Sequence, residues 1–85
     1  MGELSKLPNI GKTVEEQLIQ VGISSADELK GIGAKAAWLK IHEIDESACI
    51  HRLLALEGAI RGIKKNLLPI DVKEELKEFY NKHKI

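Results

Sequence analysis

Two glycine-containing turns carry the residue types that could bind an anion. The segments Leu7–Gly11 (LPNIG) and Leu29–Gly33 (LKGIG) each precede a helical pattern, and a lysine follows each of them closely. In a turn of this kind, the backbone N–H groups at the start of the following helix can face a phosphate. The sequence therefore predicts phosphate or DNA contact at five positions: Gly11, Lys12, Gly31, Gly33 and Lys35.

A packing role for these glycines is the alternative, and the charge composition argues against strong DNA binding. The chain has 13 Lys and Arg residues, 13 Asp and Glu residues and a pI near 6.8. A dedicated DNA-binding domain is typically basic, with a pI above about 9. Because no net charge attracts nucleic acid from a distance, we expect any DNA binding to be weak, about 10⁻⁴ M or poorer at physiological salt.

Reactive side chains are few, and their spacing does not indicate a catalytic or metal site. The candidates are three neighbouring pairs: His42 with Glu43, Asp45 with Glu46, and Cys49 with His51. Acidic pairs in a linker are usually solvated, and a cysteine at an apolar helix position is usually a small buried hydrophobe. No nucleophile, base and orienting group can be placed together, and the zinc-ligand spacing is absent. We therefore expect no enzymatic activity, no cofactor and no bound metal.

Helical signals recur along the chain, and no alternating pattern of strand length appears. The sequence predicts an all-α fold, a single domain over residues 1–85. This domain is a compact bundle of about five helices with a helix-hairpin-helix-like N-terminal half. Three helices are expected in that half: one over about 12–21, one from Ser25 to just before Gly31, and one from Ala34 to an acidic connector at 43–47. The two turns align at an offset of about 22 residues, which suggests a tandem hairpin pair.

Capping residues define several of the predicted helix ends. The predicted caps are three pairs at capping-box spacing, Thr13 with Glu16, Ser25 with Glu28 and Asp71 with Glu74, and a stop at Gly22. Val72, Leu76 and Phe79 recur at helical spacing after Asp71 and predict a last amphipathic helix.

The fourth helical segment, SACIHRLLALEGAIRGIKKN, is the longest and is expected to lie at the centre of the bundle. One apolar stripe, expected to be core, consists of Cys49, Leu53, Leu56, Ile60 and Ile63. A second stripe of mostly small residues, expected to admit a neighbouring backbone, consists of His51, Ala55, Gly58 and Gly62. A leucine at Gly62 is therefore predicted to clash.

The aromatic residues Trp38 and Tyr80 have two interpretations. Aromatic side chains are enriched at the centres of protein interfaces, so either residue could anchor a partner. A small helical domain also needs large core residues, and this second interpretation is favoured for Trp38.

Two separated motifs occur in a specific order. The first runs from Leu7-Pro8-Asn9-Ile10-Gly11 through Val21-Gly22-Ile23, Glu28-Leu29 and Ile32-Gly33-Ala34 to Ala37-Trp38, and the second is Leu54–Gly62 (LALEGAIRG) followed by Asn66–Pro69 (NLLP). Over about residues 7–80, this order resembles the C-terminal domain of the TfoX/Sxy family of bacterial competence regulators.

The resemblance implies a compact helical domain without enzymatic activity. In the family, this domain is part of proteins that promote natural transformation by acting with the cyclic-AMP receptor protein at competence promoters. Five residues of the second motif carry over as fold determinants: Leu56, Glu57, Gly58, Arg61 and Gly62. Those regulators have a separate N-terminal domain, which residues 1–6 are too few to supply. The expectation is a stand-alone single domain or an excised piece.

The resulting hypothesis is a cytoplasmic, non-enzymatic regulatory module that acts through protein contacts in competence or transcription regulation. Its expected partner is a transcription-related protein, without a membrane or a small-molecule substrate. The alternative is direct, weak DNA binding through the two turns. The single cysteine, Cys49, excludes a disulfide within the chain and fits a reducing compartment. No apolar run approaches the ~20 residues of a membrane helix.

Overall fold

The computed structural model describes residues 3–83, and their regular structure is helical. Five α-helices follow one another along the chain: α1 (Lys12–Gln20), α2 (Ala26–Ile32), α3 (Ala34–Ile44), α4 (Ile50–Arg61) and α5 (Ile70–His83). Two short 3₁₀ helices lie at Glu3–Lys6 and Lys65–Leu67. Residues 3–83 contain no strand, and none of their helices is long and apolar enough to cross a membrane. The predicted all-α bundle of about five helices is confirmed.

Helix α4 lies at the centre of the bundle, in contact with α2, α3 and α5. Its Leu53 and Leu56 are fully buried, as is Trp38 of α3. The Trp38 Nε1–H donates a hydrogen bond to the carbonyl of Cys49 at 3.3 Å, and the ring of Tyr80 packs edge-on against Trp38 with centroids 5.6 Å apart. Trp38 is therefore a core residue that fixes α3, α5 and the start of α4 to one another.

Two predicted helix ends are confirmed. The Glu28 N–H donates to Ser25 Oγ at 3.1 Å, and Glu28 Oε1 accepts from the Ser24 N–H at 2.9 Å. These bonds favour the charged carboxylate and lower the pKa of Glu28, with the Ser24 backbone N–H as the largest cause. Helix α1 ends before Gly22, whose φ of +92° is a left-handed conformation that favours glycine after a helix.

Two predicted capping positions are wrong, because Thr13 and Asp71 lie inside helices. In α1 the carbonyl of Gly11 accepts a helical hydrogen bond at 3.0 Å, and in α5 the carbonyl of Pro69 does so at 3.0 Å. Helical bonding therefore begins two residues ahead of each predicted cap.

Three predicted boundaries also differ from the structure. Helix α2 continues through Gly31 to Ile32, with Gly33 as its C-cap, and α3 continues to Ile44, so the connector begins two residues later than expected. Helix α4 ends at Arg61, and Gly62 follows it as a left-handed cap. Positive φ angles at Gly33 (+88°) and Gly62 (+78°) explain where α2 and α4 stop. Gly62 is thus not part of a packed stripe on α4.

Asn9 joins the N-terminal turn to the end of α4 through its side chain. Its Nδ2 donates to the carbonyls of Ile63 (3.0 Å) and Ala55 (3.4 Å), and its Oδ1 accepts from the Lys65 N–H at 3.1 Å. We call this set of hydrogen bonds the Asn9 clamp. A Cβ on Gly58 would lie 2.5 Å from Asn9 Nδ2 and 2.7 Å from the Ile63 carbonyl oxygen. The predicted close approach therefore occurs at Gly58.

The two turns that suggested a repeat have different backbone conformations. In the first turn Asn9 is left-handed, with φ of +69°, and Gly11 is extended. In the second turn Gly31 is helical and Gly33 is left-handed. The two copies therefore do not share a backbone conformation, because the left-handed residue stands at different positions in them.

Candidate functional site

The Gly33 turn, where α2 meets α3, opens onto a groove of about 310 Å³. The groove is lined by Ile32, Gly33, Ala34 and Lys35 at the turn, Glu57 and Arg61 of α4, and Val72, Glu75 and Leu76 of α5. Helix α3 starts at this groove, and its first backbone N–H groups have no hydrogen-bond partner within the helix. Two of the residues predicted to contact phosphate, Gly33 and Lys35, therefore line one cavity.

Lys35 is paired with a carboxylate in this groove. Its Nζ lies 2.6 Å from Glu75 Oε2 and 5.5 Å from the centroid of the Phe79 ring. The Lys35 and Glu75 side chains are 43% and 64% exposed, so the pair contributes at most about 1 kcal/mol to stability. A phosphate bound to Lys35 would meet the negative charge of Glu75.

A second ion pair faces the same groove from α4. Arg61 Nε lies 2.6 Å from Glu57 Oε2, at the i,i+4 spacing that favours an ion pair on a helix. The lining therefore contains two cations and two carboxylates. A surface of alternating charge suits the mixed surface of a protein better than the uniform charge of a nucleic-acid backbone.

The first turn lies on a different cavity. Gly11 and Lys12 line a space of about 400 Å³ together with Glu15 and Glu16. The two cavities share no lining residue, and Gly31 lines neither of them. The five positions predicted to contact phosphate are therefore not brought into one site, and phosphate contact at each turn stays a prediction.

Asp45 lies in a network of hydrogen bonds that joins three parts of the chain. It accepts hydrogen bonds from the Ser47 hydroxyl and N–H, from Gln17 Nε2 at 2.8 Å and from Arg52 at 3.3 Å. The Ser47 hydroxyl, followed by the Gln17 amide, holds the pKa of Asp45 well below its usual range. The carboxylate thus joins α1, the loop after α3, and α4. Within residues 3–83, no group of three or more His, Cys, Asp or Glu residues could hold a metal ion.

Sequence analysis included Asn66–Pro69 in a motif but assigned no functional role to the exposed apolar residues there or at the start of α5. Leu67 is 65% exposed and Ile70 is 74% exposed, whereas Leu68 between them is buried. Pro69 is exposed as well. We call Leu67, Pro69 and Ile70 the apolar ridge. The signal that could have found it is the pair of leucines before a proline, which fits no helical stripe.

Comparisons with known proteins identify relatives of the chain. Residues 1–80 match the family model described as the TfoX C-terminal domain. Protein Sxy of Escherichia coli (strain K12) is 37% identical over 76 residues, which cover 89% of this chain and 36% of that protein. The chain therefore spans about a third of the length of that relative.

Two solved structures are also similar to the chain. An uncharacterised protein from Listeria monocytogenes, solved in a triclinic crystal form, is 49% identical with a TM-score of 0.92, and the match covers 93% of this chain and 90% of that one. A protein of unknown function from the same organism, in a tetragonal form, is 49% identical with a TM-score of 0.90, covering 92% and 96%.

Proposed function

The chain belongs to the TfoX C-terminal domain family, and on that premise we propose that it is a cytoplasmic, non-enzymatic regulatory module that acts by contact with a protein. The observation that favours protein over DNA is the pairing of Lys35 with Glu75 and of Arg61 with Glu57. Affinity for DNA comes largely from cations that neutralise phosphates. Both cations at the Gly33 groove already face a carboxylate.

The proposed setting is competence or transcription regulation, with a transcription-related protein as the partner. This setting is that of the regulators in the family that the sequence resembles. Because the chain spans about a third of Protein Sxy, the proposal extends only to contacts that this domain makes.

Direct, weak DNA binding through the Gly33 turn is the second candidate, supported by Gly33, Lys35 and the start of α3 lining one groove. Fluorescence anisotropy with a labelled duplex tests it. We expect little binding at about 150 mM salt. At low salt, Lys35→Glu should weaken any binding and Glu75→Gln, which frees Lys35, should strengthen it. Lys77→Glu, at an exposed lysine of α5 outside the groove lining, is the matched control. Sub-micromolar, sequence-selective binding by the parent would make this second candidate correct.

Capture from a bacterial lysate tests the protein-contact proposal itself. The folded chain is immobilised, and parallel samples are incubated with and without nuclease. We expect the same protein to be retained in both samples, because a protein contact does not need a nucleic-acid bridge. Loss of every specific protein after nuclease treatment would contradict the proposal.

A further inference from the structure

The apolar ridge is held in place by the segments on either side of it. The Leu67 N–H donates to the carbonyl of Lys64 at 2.9 Å. The buried Leu68 side chain anchors the centre of the segment, and Ile70 is the first residue of α5. Because this backbone is already ordered, a partner that binds the ridge loses little of its binding energy in ordering it.

Lysines flank the ridge along the chain. Lys64 and Lys65 precede it, separated from Leu67 by Asn66, and Lys73 Nζ donates to the carbonyl of Asn66 at 3.2 Å, which brings that ammonium group back to the residue before Leu67. Residues 62–73 contain these three lysines and a single carboxylate, Asp71, so their net charge is +2.

Carboxylates lie on the α5 side of the ridge. Asp71 follows Ile70 directly, and Glu74 lies one helical turn beyond it. The cationic flank is therefore the one formed by Lys64, Lys65 and the Lys73 ammonium group.

We propose that the apolar ridge and its lysine flank bind an acidic segment of a protein partner, one that presents aliphatic side chains alongside its carboxylates. This proposal rests on the proposed function, because it specifies the surface and the partner chemistry of the same protein contact. The aliphatic side chains of the partner cover Leu67 and Ile70, while its carboxylates face Lys64 and Lys65.

Nucleic acid fits this surface less well. Proteins that bind single strands stack bases on aromatic side chains, and residues 61–73 contain none. If nucleic acid bound here, the two exposed aliphatic side chains at the centre of the ridge would face phosphates and would gain no apolar contact. The ridge therefore has the composition of a protein interface, with an apolar centre and a charged edge.

Heteronuclear NMR titration with synthetic peptides tests this assignment. The first probe is a peptide with Glu and Leu at helical spacing, the second has every Glu replaced by Lys, and the third has every Leu replaced by Ser. We expect shift changes at residues 63–73 with the first peptide and at least tenfold weaker binding of the other two. Equal binding of the serine peptide, no binding of the first peptide, or tighter binding of duplex DNA at the ridge would each overturn the proposal.

Variants of the ridge and of its lysine flank separate specific binding from nonspecific hydrophobic association. Leu67→Ser with Ile70→Ser, and separately Lys64→Glu with Lys65→Glu, should each weaken the first peptide about tenfold. Ile19→Ser, at an aliphatic residue that is 51% exposed on α1, is the matched control and should leave binding unchanged. Thermal melts confirm that each variant folds.

The lysate capture distinguishes failure of the ridge proposal from failure of the proposed function. If the Leu67→Ser and Ile70→Ser variant retains the captured protein, the contact exists elsewhere and the ridge proposal is wrong. If the parent retains no protein, the proposed function fails.

Discussion

Replacing Gly58 with alanine tests the packing of the N-terminal turn against α4. The new Cβ would lie 2.5 Å from Asn9 Nδ2 and 2.7 Å from the Ile63 carbonyl oxygen, so the Asn9 clamp must open. Its two shorter hydrogen bonds, to Ile63 and Lys65, are each worth about 1 kcal/mol. The backbone around Ile63 must also move, which raises the total loss in the free energy of unfolding to about 2–3 kcal/mol. The better helix propensity of alanine offsets up to ~1 kcal/mol of this loss. We expect a net destabilisation of about 1–2 kcal/mol, measured by urea unfolding followed by circular dichroism.

Gly31→Ala is the matched control for this substitution. Gly31 also lies in a helix, yet no atom within 4 Å would meet its Cβ. The same chemical change should therefore leave stability unchanged or raise it by up to ~1 kcal/mol. Of the two substitutions, only Gly58→Ala is predicted to lower the free energy of unfolding.

A double-mutant cycle isolates the contribution of Asn9. Asn9→Gly removes the side chain and keeps the left-handed backbone accessible, since φ at this position is +69°. In that background Gly58→Ala should cost less by about 1 kcal/mol, because only the backbone contacts with Ile63 and Lys65 remain. The reasoning is refuted if Gly58→Ala is as stable as the parent, or if its cost is the same with and without Asn9.

Three further predictions concern other parts of the molecule. The pKa of Asp45 is lowered on folding, so its carboxylate stabilises the fold above about pH 4, and this stabilisation is lost as the pH falls toward the folded pKa. The difference in urea midpoint between the parent and Asp45→Asn should therefore become smaller below about pH 4. Gly62→Leu should destabilise by about 1–2 kcal/mol through its left-handed backbone rather than through a clash, and Gly62→Asn should recover part of this loss in thermal melts. Trp38→Phe should cost about 1–3 kcal/mol in urea unfolding, because the hydrogen bond to Cys49 and part of the core volume are lost.

The features that could be predicted from the sequence depend on residues close together along the chain. The Ser25 cap bonds a residue three positions away, and the Glu57–Arg61 pair spans four. Helical spacing likewise placed Leu53 and Leu56 in the core. The end of α4 was missed because Gly62 fits both an interior stripe and a left-handed cap, and residue spacing does not distinguish these two roles.

The features that could not be predicted depend on partners far along the chain. When the two turns are aligned, Asn9 stands opposite Gly31, and nothing in that alignment shows that its side chain bonds residues more than 40 positions away. Lys35 looked like a free cation at a phosphate turn, but its partner Glu75 is 40 residues away. The charge balance of the Gly33 groove therefore depends on how α5 packs, which no local pattern contains.

The Asn9 clamp also bears on the order in which the molecule folds. Its hydrogen bonds join residues 46 to 56 positions apart, so they form only after more than half of the chain has closed into a loop. Helices α2, α3 and α4 are joined by short connections and can pair early. If the clamp closes after the transition state, Gly58→Ala accelerates unfolding and leaves the folding rate nearly unchanged. The clamp then sets the lifetime of the native state rather than the speed of its formation.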